Sequence, residues 1–241
     1  MERFIQALIT GLLMGGVYST IAVGLSLAFG VMRIINWAHG ELLMVSMYIS
    51  YLIIGVTGWD PYLVSIVTAI IMFGFGYLFQ GTALNKLLDR EESREPLSVL
   101  LFTAGLGMVL SNLALIIFGA NPILVNTVYQ GKTFDIGDII ISVPRFISFI
   151  IAITATIVLY LFLQRTETGR AIRATSQNRN AAKLMGVNQK KIYNLAFGIG
   201  IALVGLSGGL LVPFFSIYPL VGQTFSNRSF IIVVLGGKGS I

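Results

Sequence analysis

The residues with the greatest chemical potential lie in Asn36-Trp37-Ala38-His39-Gly40-Glu41, which holds the chain's single histidine and an acidic residue at the start of an apolar run. A carboxylate in the middle of a bilayer costs roughly 2.5–3.5 kcal/mol, so such a group faces a bundle interior, an aqueous cavity or the interface. Two readings follow. Either a helix is interrupted here and Asn36, His39 and Glu41 line a substrate path, or the stretch is a polar turn with Trp37 as an aromatic anchor and Glu41 in headgroup water. Metal binding is disfavoured, because two ligands without a third make a poor site.

The second stretch is basic. Between Arg165 and Lys191 stand Arg165, Arg170, Arg173, Arg179, Lys183, Lys190 and Lys191 against Glu167 alone. Within it Ala181, Ala182, Leu184 and Met185 form a short amphipathic helix from Asn178 onward, with Gly186 placed as its C-terminal stop. A rigid helix on a loop between two spans is something a soluble motor can push against. A loop resting on anionic headgroups is the competing reading, each Lys or Arg contributing about 1 kcal/mol.

Other chemistry is excluded. Gly131-Lys132-Thr133 resembles the end of a phosphate-binding loop, but Asn126 stands where its first glycine is required. Gly236-Gly237-Lys238-Gly239 lacks the Ser or Thr. ATP hydrolysis therefore belongs on another chain. Neither GxSxG nor HExxH occurs, so the chain is read as no enzyme. With no cysteine, disulfides, thiolate zinc sites and iron–sulfur clusters are ruled out, and no cofactor is expected.

The elements that must position these residues are membrane spans. Hydrophobic residues make up 56% of the chain and charged ones 11%, with a mean hydropathy of +0.87; soluble domains carry about 25% charged residues. Apolar runs long enough to cross ~30 Å of hydrocarbon cover Phe4–Met32, Leu42–Trp59, Tyr62–Leu84, Leu97–Gly119, Phe146–Gln164 and Ile192–Val212, and Phe230–Leu235 begins another. The Phe4–Met32 run is read as a retained first span, not a cleaved signal. The expected fold is an all-α integral membrane protein, a polytopic helical bundle of six to seven spans with a broken or re-entrant helix near residues 33–45. Residues 1–241 form one transmembrane domain, with 165–191 a loop within it. Ile139–Val143 reads as a short strand or interfacial segment. Glycine pairs four apart, Gly11/Gly15 and Gly205/Gly209, read as helix-packing positions.

The net charge of +6 and pI of 9.7 reflect retention charges rather than nucleic-acid binding, since the aromatics lie within apolar runs. Placing the Arg165–Lys191 loop in the cytosol puts Arg33, Lys86, Arg90 and Arg94 there too. Arg3, Lys132, Arg145 and Arg228 then lie outside, with the amino terminus.

Four segments resemble the permease subunits of branched-chain amino acid ABC importers, of the LivH type. Gly15-Gly16-Val17-Tyr18-Ser19-Thr20-Ile21-Ala22-Val23-Gly24 is similar to the family's first span, and Asn36 to Glu41 to its Asn-x-Ala-His-Gly-Glu signature. Gly169-Arg170-Ala171-Ile172-Arg173-Ala174 with Ala181-Ala182 and Gly186 resembles its cytosolic coupling loop, and Val233 to Ser240 its late Gly-Gly-x-Gly-Ser element. The resemblance implies a permease half in a bacterial or archaeal cytoplasmic membrane. It pairs with a second, homologous permease subunit, two cytosolic ABC ATPases and an extracytoplasmic solute-binding protein. It implies ATPase coupling through Arg170, Ala171, Arg173, Ala181, Ala182 and Gly186, one moving helix running from Ala171 to Gly186, and a translocation path near Asn36, His39 and Glu41. Two departures stand out: Asn180 replaces the Glu often found before the paired alanines, and the family continues through at least one further span beyond Ile241. The expected cargo is an amino acid, with urea, short amides or a sugar as alternatives. A self-contained channel or ion-coupled carrier is the rival of another class, and a non-transporting membrane scaffold a further one.

Overall fold

The computed structural model describes residues 2–88, 97–136 and 139–237. The expected charges Asp89, Arg90, Glu91, Glu92, Arg94 and Glu95, and the Lys238-Gly239-Ser240 end of the late glycine element, lie outside the described residues. The helices are α1 (Glu2–Met32), α2 (His39–Thr57), α3 (Pro61–Phe79), α4 (Asn85–Leu88), α5 (Leu97–Phe118), α6 (Val143–Arg165), α7 (Glu167–Gln177), α8 (Arg179–Leu184), α9 (Gln189–Leu211) and α10 (Val221–Gly236). A π-helical turn, Gln80–Leu84, joins α3 to α4. Strands β1 (Thr133–Ile136) and β2 (Ile139–Ser142) pair antiparallel, Thr133 opposite Ser142. Among the described residues six helices are long and apolar enough to cross a membrane, and the protein is an all-α multi-pass membrane protein.

Local chemistry sets the boundaries. Gly58, with φ +66°, ends α2 in the left-handed conformation that glycine tolerates. Two residues later Asp60 accepts the Tyr62 N–H to open α3, with Pro61 at its first position. Asp60 also accepts the Tyr129 hydroxyl at 2.6 Å, and the Tyr62 and Tyr129 rings meet edge to face at 5.1 Å. This clasp ties the connection after α5 to the start of α3. The Asp60 carboxylate, by accepting that hydroxyl, holds the Tyr129 phenol above its ordinary range. A raised acid favours its protonated form in the fold, so the clasp's contribution is intact below the free phenol value and is lost as pH rises through the folded one. Tyr129→Phe is expected to cost about 1 kcal/mol locally, seen as roughly fivefold faster proteolysis between residues 119 and 132; an unchanged rate would show that the bond contributes nothing.

Two faces emerge from the contacts. Near its start α1 meets the hairpin: the Gln6 amide donates to the Ile140 carbonyl at 2.6 Å and accepts its N–H at 2.9 Å. At the other end, the Met32 carbonyl accepts a bond from the Arg179 guanidinium. Asn85 donates to Asn194 at 2.8 Å on that same side. Arg33 and Lys86 thus share a face with the basic loop, as expected from the charges, and Lys132 and Arg145 sit with the hairpin on the opposite one. Arg228 is different. Expected in an outer connection, it lies within α10, its guanidinium bonded to the Tyr18 hydroxyl and over the Tyr18 ring, because the last helix begins at Val221 and not at Phe230.

The bundle is organised around α9, whose most apolar stretch is 78% buried, against 17% for α5. Lipid provides no hydrophobic drive between helices, so close backbone approach and hydroxyl bonds must hold them. A Cβ on Gly205 would meet Met72 and the Thr68 carbonyl, and one on Gly209 would meet Ser65. Thr20 donates to the Ala152 carbonyl at 3.2 Å, Ser148 to Leu210 at 3.0 Å and Ser46 to Val204 at 3.3 Å. Gly11 and Gly15, expected to pack helices, instead face open space.

Two close crossings are reciprocal. A Cβ on Gly24 would lie 2.6 Å from the Gly200 carbonyl oxygen, and one on Gly200 would lie 2.7 Å from that of Gly24. Gly40 and Gly222 oppose each other's carbonyls in the same way. The α1–turn–α2 unit and the α9–turn–α10 unit therefore meet as matched halves, each supplying one glycine to each crossing.

Candidate functional site

The signature residues lie where the chain turns back into the bundle. Arg33 ends α1 with φ +55°, a left-handed conformation uncommon outside glycine. The chain then returns along α1, since His39 Nε2 donates to the Ile21 carbonyl at 3.0 Å. Ile21 precedes the end of α1 at Met32 by eleven residues, a depth of ~16 Å at 1.5 Å per residue. The broken, re-entrant geometry expected near residues 33–45 is thus present. The return segment makes its own bonds: the Asn36 side chain accepts the Ala38 N–H at 3.1 Å, and Thr103 Oγ1 accepts the Trp37 N–H, also at 3.1 Å. Irregular backbone at membrane depth is tolerated where protein covers it, and Ile34, Asn36 and Ala38 are buried.

This geometry bears on the reading of the signature as a polar turn with Glu41 in headgroup water. Glu41 is only 8% exposed, covered by the protein itself. It occupies the first turn of α2, where the helix dipole favours an anion. A methyl group added at Gly107 of α5 would touch its carboxylate at 3.5 Å, so this glycine leaves the acid its room. Glu41 borders a cavity of about 330 Å³ that Trp37, Met108, Ser111, Gln223 and Asn227 also line. Asn36 and His39 do not line it. Both are buried, about 1% exposed, behind Glu41, where they hold the turn and the start of α2.

The α10 and α5 side of this cavity was invisible to hydropathy. Gln223 and Asn227 fall on one face of α10, four apart, and Ser111 and Asn112 interrupt the apolar run of α5. Polar side chains recurring at helical spacing within membrane segments are the signal that finds them.

The basic connection folds as two helices. The expectation of one helix from Ala171 to Gly186 is corrected, for the chain breaks at Asn178, whose side chain accepts the Ala181 N–H at 3.1 Å and caps α8. Thr166 caps α7 by accepting the Gly169 N–H at 2.9 Å. A Cβ on Gly169 would overlap the Phe162 and Leu163 carbonyls, so glycine permits α7 to fold tightly against the end of α6. Gly186 stops α8 as expected, with φ +85° and the Val187 N–H reaching back to the Ala182 carbonyl. Ala182 is buried and Ala181 exposed. Arg170 pairs on the surface with Glu167 at 3.5 Å, and Arg173 donates to Gln164 at 2.8 Å. The tip presents Leu184 and Met185, 88% and 84% exposed.

Among the described residues no three His, Cys, Asp or Glu side chains gather to hold a metal ion. No solved structure matches the chain. A model of the family described as "Branched-chain amino acid transport system / permease component" matches residues 7–241. The chain is 28% identical to the high-affinity branched-chain amino acid transport system permease protein LivH of Escherichia coli (strain K12), over 99% of this chain and 80% of that one. It is 29% identical to its counterpart BraD of Pseudomonas aeruginosa, over 99% and 81%. It is also 27% identical to the ribose import permease protein RbsC of Bacillus subtilis (strain 168), over 90% and 66%. With a match that runs from α1 to the last residue, the chain belongs to the family of permease components of branched-chain amino acid transport systems.

Proposed function

We propose that this chain is a permease subunit of an ATP-driven importer of branched-chain amino acids in the cytoplasmic membrane. It works with a second permease subunit, a pair of ATPases on the α7–α8 side and a solute-binding protein on the hairpin side. The observation that carries this reading is the bare apolar tip, Leu184 and Met185, on a helix pair fastened to three spans. Gly169 seats α7 on α6, Arg179 bonds the end of α1, and Gln189 at the start of α9 donates to the Arg179 carbonyl at 2.6 Å. A displacement of this pair is transmitted directly to the ends of α1, α6 and α9. The end of α1 leads into the re-entrant turn that bears Glu41, so closure of the ATPases tilts the elements around the cavity and alternates its access. Arg170, Ala171, Arg173, Ala181, Ala182 and Gly186 belong to this coupling element, and Glu41 faces the path, with Asn36 and His39 positioning it.

Likeness to a ribose permease and the amides of the cavity favour a sugar as the second reading. Vesicles containing this chain with its partner permease, ATPases and binding protein are expected to take up labelled leucine only when ATP is present on the α7–α8 side. Uptake by this chain alone without ATP would establish a self-contained carrier instead, and uptake of ribose but not leucine would establish the second reading.

A further inference from the structure

Glu41 poses a physical problem. Among the described residues its Oε2 is buried with no hydrogen-bond partner, and Glu41 takes no part in the Arg170–Glu167 surface ion pair. The arginine of α10, Arg228, is turned away to Tyr18. A carboxylate left unpaired at this depth is costly, and such groups are retained in membrane segments where they meet a partner or a solute.

The cavity beside it fits a solute of one kind. Its volume of about 330 Å³ is at the small end of ligand sites. Its polar groups are one carboxylate, the amides of Asn112, Gln223 and Asn227, the Ser111 and Ser226 hydroxyls and the Trp37 indole, with no cationic side chain in the lining among the described residues. Met108 and Phe230 give it apolar walls. A free carboxylate facing neutral amides across an apolar gap matches a small zwitterion: a positive group for the acid, an anionic group for the amide N–H donors and an aliphatic side chain for the walls.

We propose that Glu41 is the ammonium-binding group of a solute site in this cavity, that Gln223 and Asn227 hold the solute's carboxylate, and that Met108 and Phe230 receive its side chain. Glu41 then selects solutes that carry a protonated amine and rejects sugars. This deepens the transport reading and rests on it for the identity of the solute, but its test does not depend on uptake.

The chain lacks cysteine, so Ser111→Cys provides a single reporter thiol in the cavity. In the assembled importer its modification by a cationic aminoethyl methanethiosulfonate is expected to outpace that by the neutral methyl reagent by about tenfold or more, as a buried unpaired charge requires. Leucine should slow the reaction, and 4-methylpentanoate, which lacks the amine, should not. Adding Glu41→Gln should abolish both the cation preference and the protection. Equal rates for the two reagents, or equal protection by 4-methylpentanoate, would overturn the proposal; both are read on the Ser111→Cys protein alone, so they stand even if the double variant fails to accumulate. ATP-driven leucine uptake measured on the same vesicles separates the two ideas. Uptake without cation preference sinks the Glu41 site and spares the transporter, and preference and protection without uptake do the reverse.

Discussion

Gly40→Leu is expected to prevent the bundle from closing. The Cβ of any larger residue at Gly40 would overlap the backbone carbonyl of Gly222 and the Ser226 side chain. A carbonyl in a helix cannot step aside as a flexible side chain can, so the two matched halves must separate. Overpacking of a dense interior costs about 1–3 kcal/mol and occasionally more, and a leucine against backbone lies at the upper end. The thermal midpoint of the detergent-solubilised protein should fall steeply, or the variant should fail to accumulate. Gly11→Leu is the control, because a Cβ there meets nothing within 4 Å; it should match the wild type. Equal midpoints for Gly40→Leu and Gly11→Leu would mean that the Gly40–Gly222 crossing does not hold the halves together.

The second large effect concerns transport, not folding. Leu184 and Met185 are 88% and 84% exposed, and contribute little to the packing of this chain. Replacing both with aspartate should change the folding stability by no more than about 0.5 kcal/mol per site, as for surface changes generally, and so leave the thermal midpoint close to that of the wild type. In an interface the same substitutions place two unpaired carboxylates where apolar side chains should be desolvated, at several kcal/mol. ATPase recovery with the purified permease should drop by about a hundredfold, the factor for ~2.7 kcal/mol, and ATP-driven uptake should fall with it. Full recovery of ATPase on the double variant would remove the tip of α8 from the coupling contact.

Hydropathy alone made the spans legible, because the cost of exposing apolar segments to water is additive along the chain. The long runs of α1, α3, α5, α6 and α9 carry that signal almost without interruption. It failed at α10, where Gln223, Asn227 and Arg228 dilute the first half of the helix, so that only the part after Phe230 looked apolar. The short elements of the basic connection were legible through their caps, with Gly186 a recognisable stop. Asn178 was legible as the start of α8, but not as the end of α7, where the single helix expected from Ala171 to Gly186 breaks. The polar character of Glu41 was evident, but not its setting. That depends on Gly107 and α10, far away in sequence, and on Arg33 taking a left-handed conformation that turns the chain inward. The glycine crossings were hidden for the same reason. Gly11 and Gly15 have the spacing of a packing pair and face open space, whereas Gly24 and Gly40 find their partners at Gly200 and Gly222, which no local spacing announces.

Everything in the transport reading requires the α7–α8 pair and the hairpin to lie on opposite sides of a membrane. A cysteine-free chain lets this be measured directly, with Met185→Cys and Val128→Cys as separate single-thiol proteins, both positions being well exposed at 84% and 77%. In right-side-out vesicles a membrane-impermeant maleimide should label Val128→Cys at once and Met185→Cys only after the vesicles are opened. Labelling of Met185→Cys in sealed vesicles would put the helix pair outside the cell, away from any ATPase, and the account would be wrong.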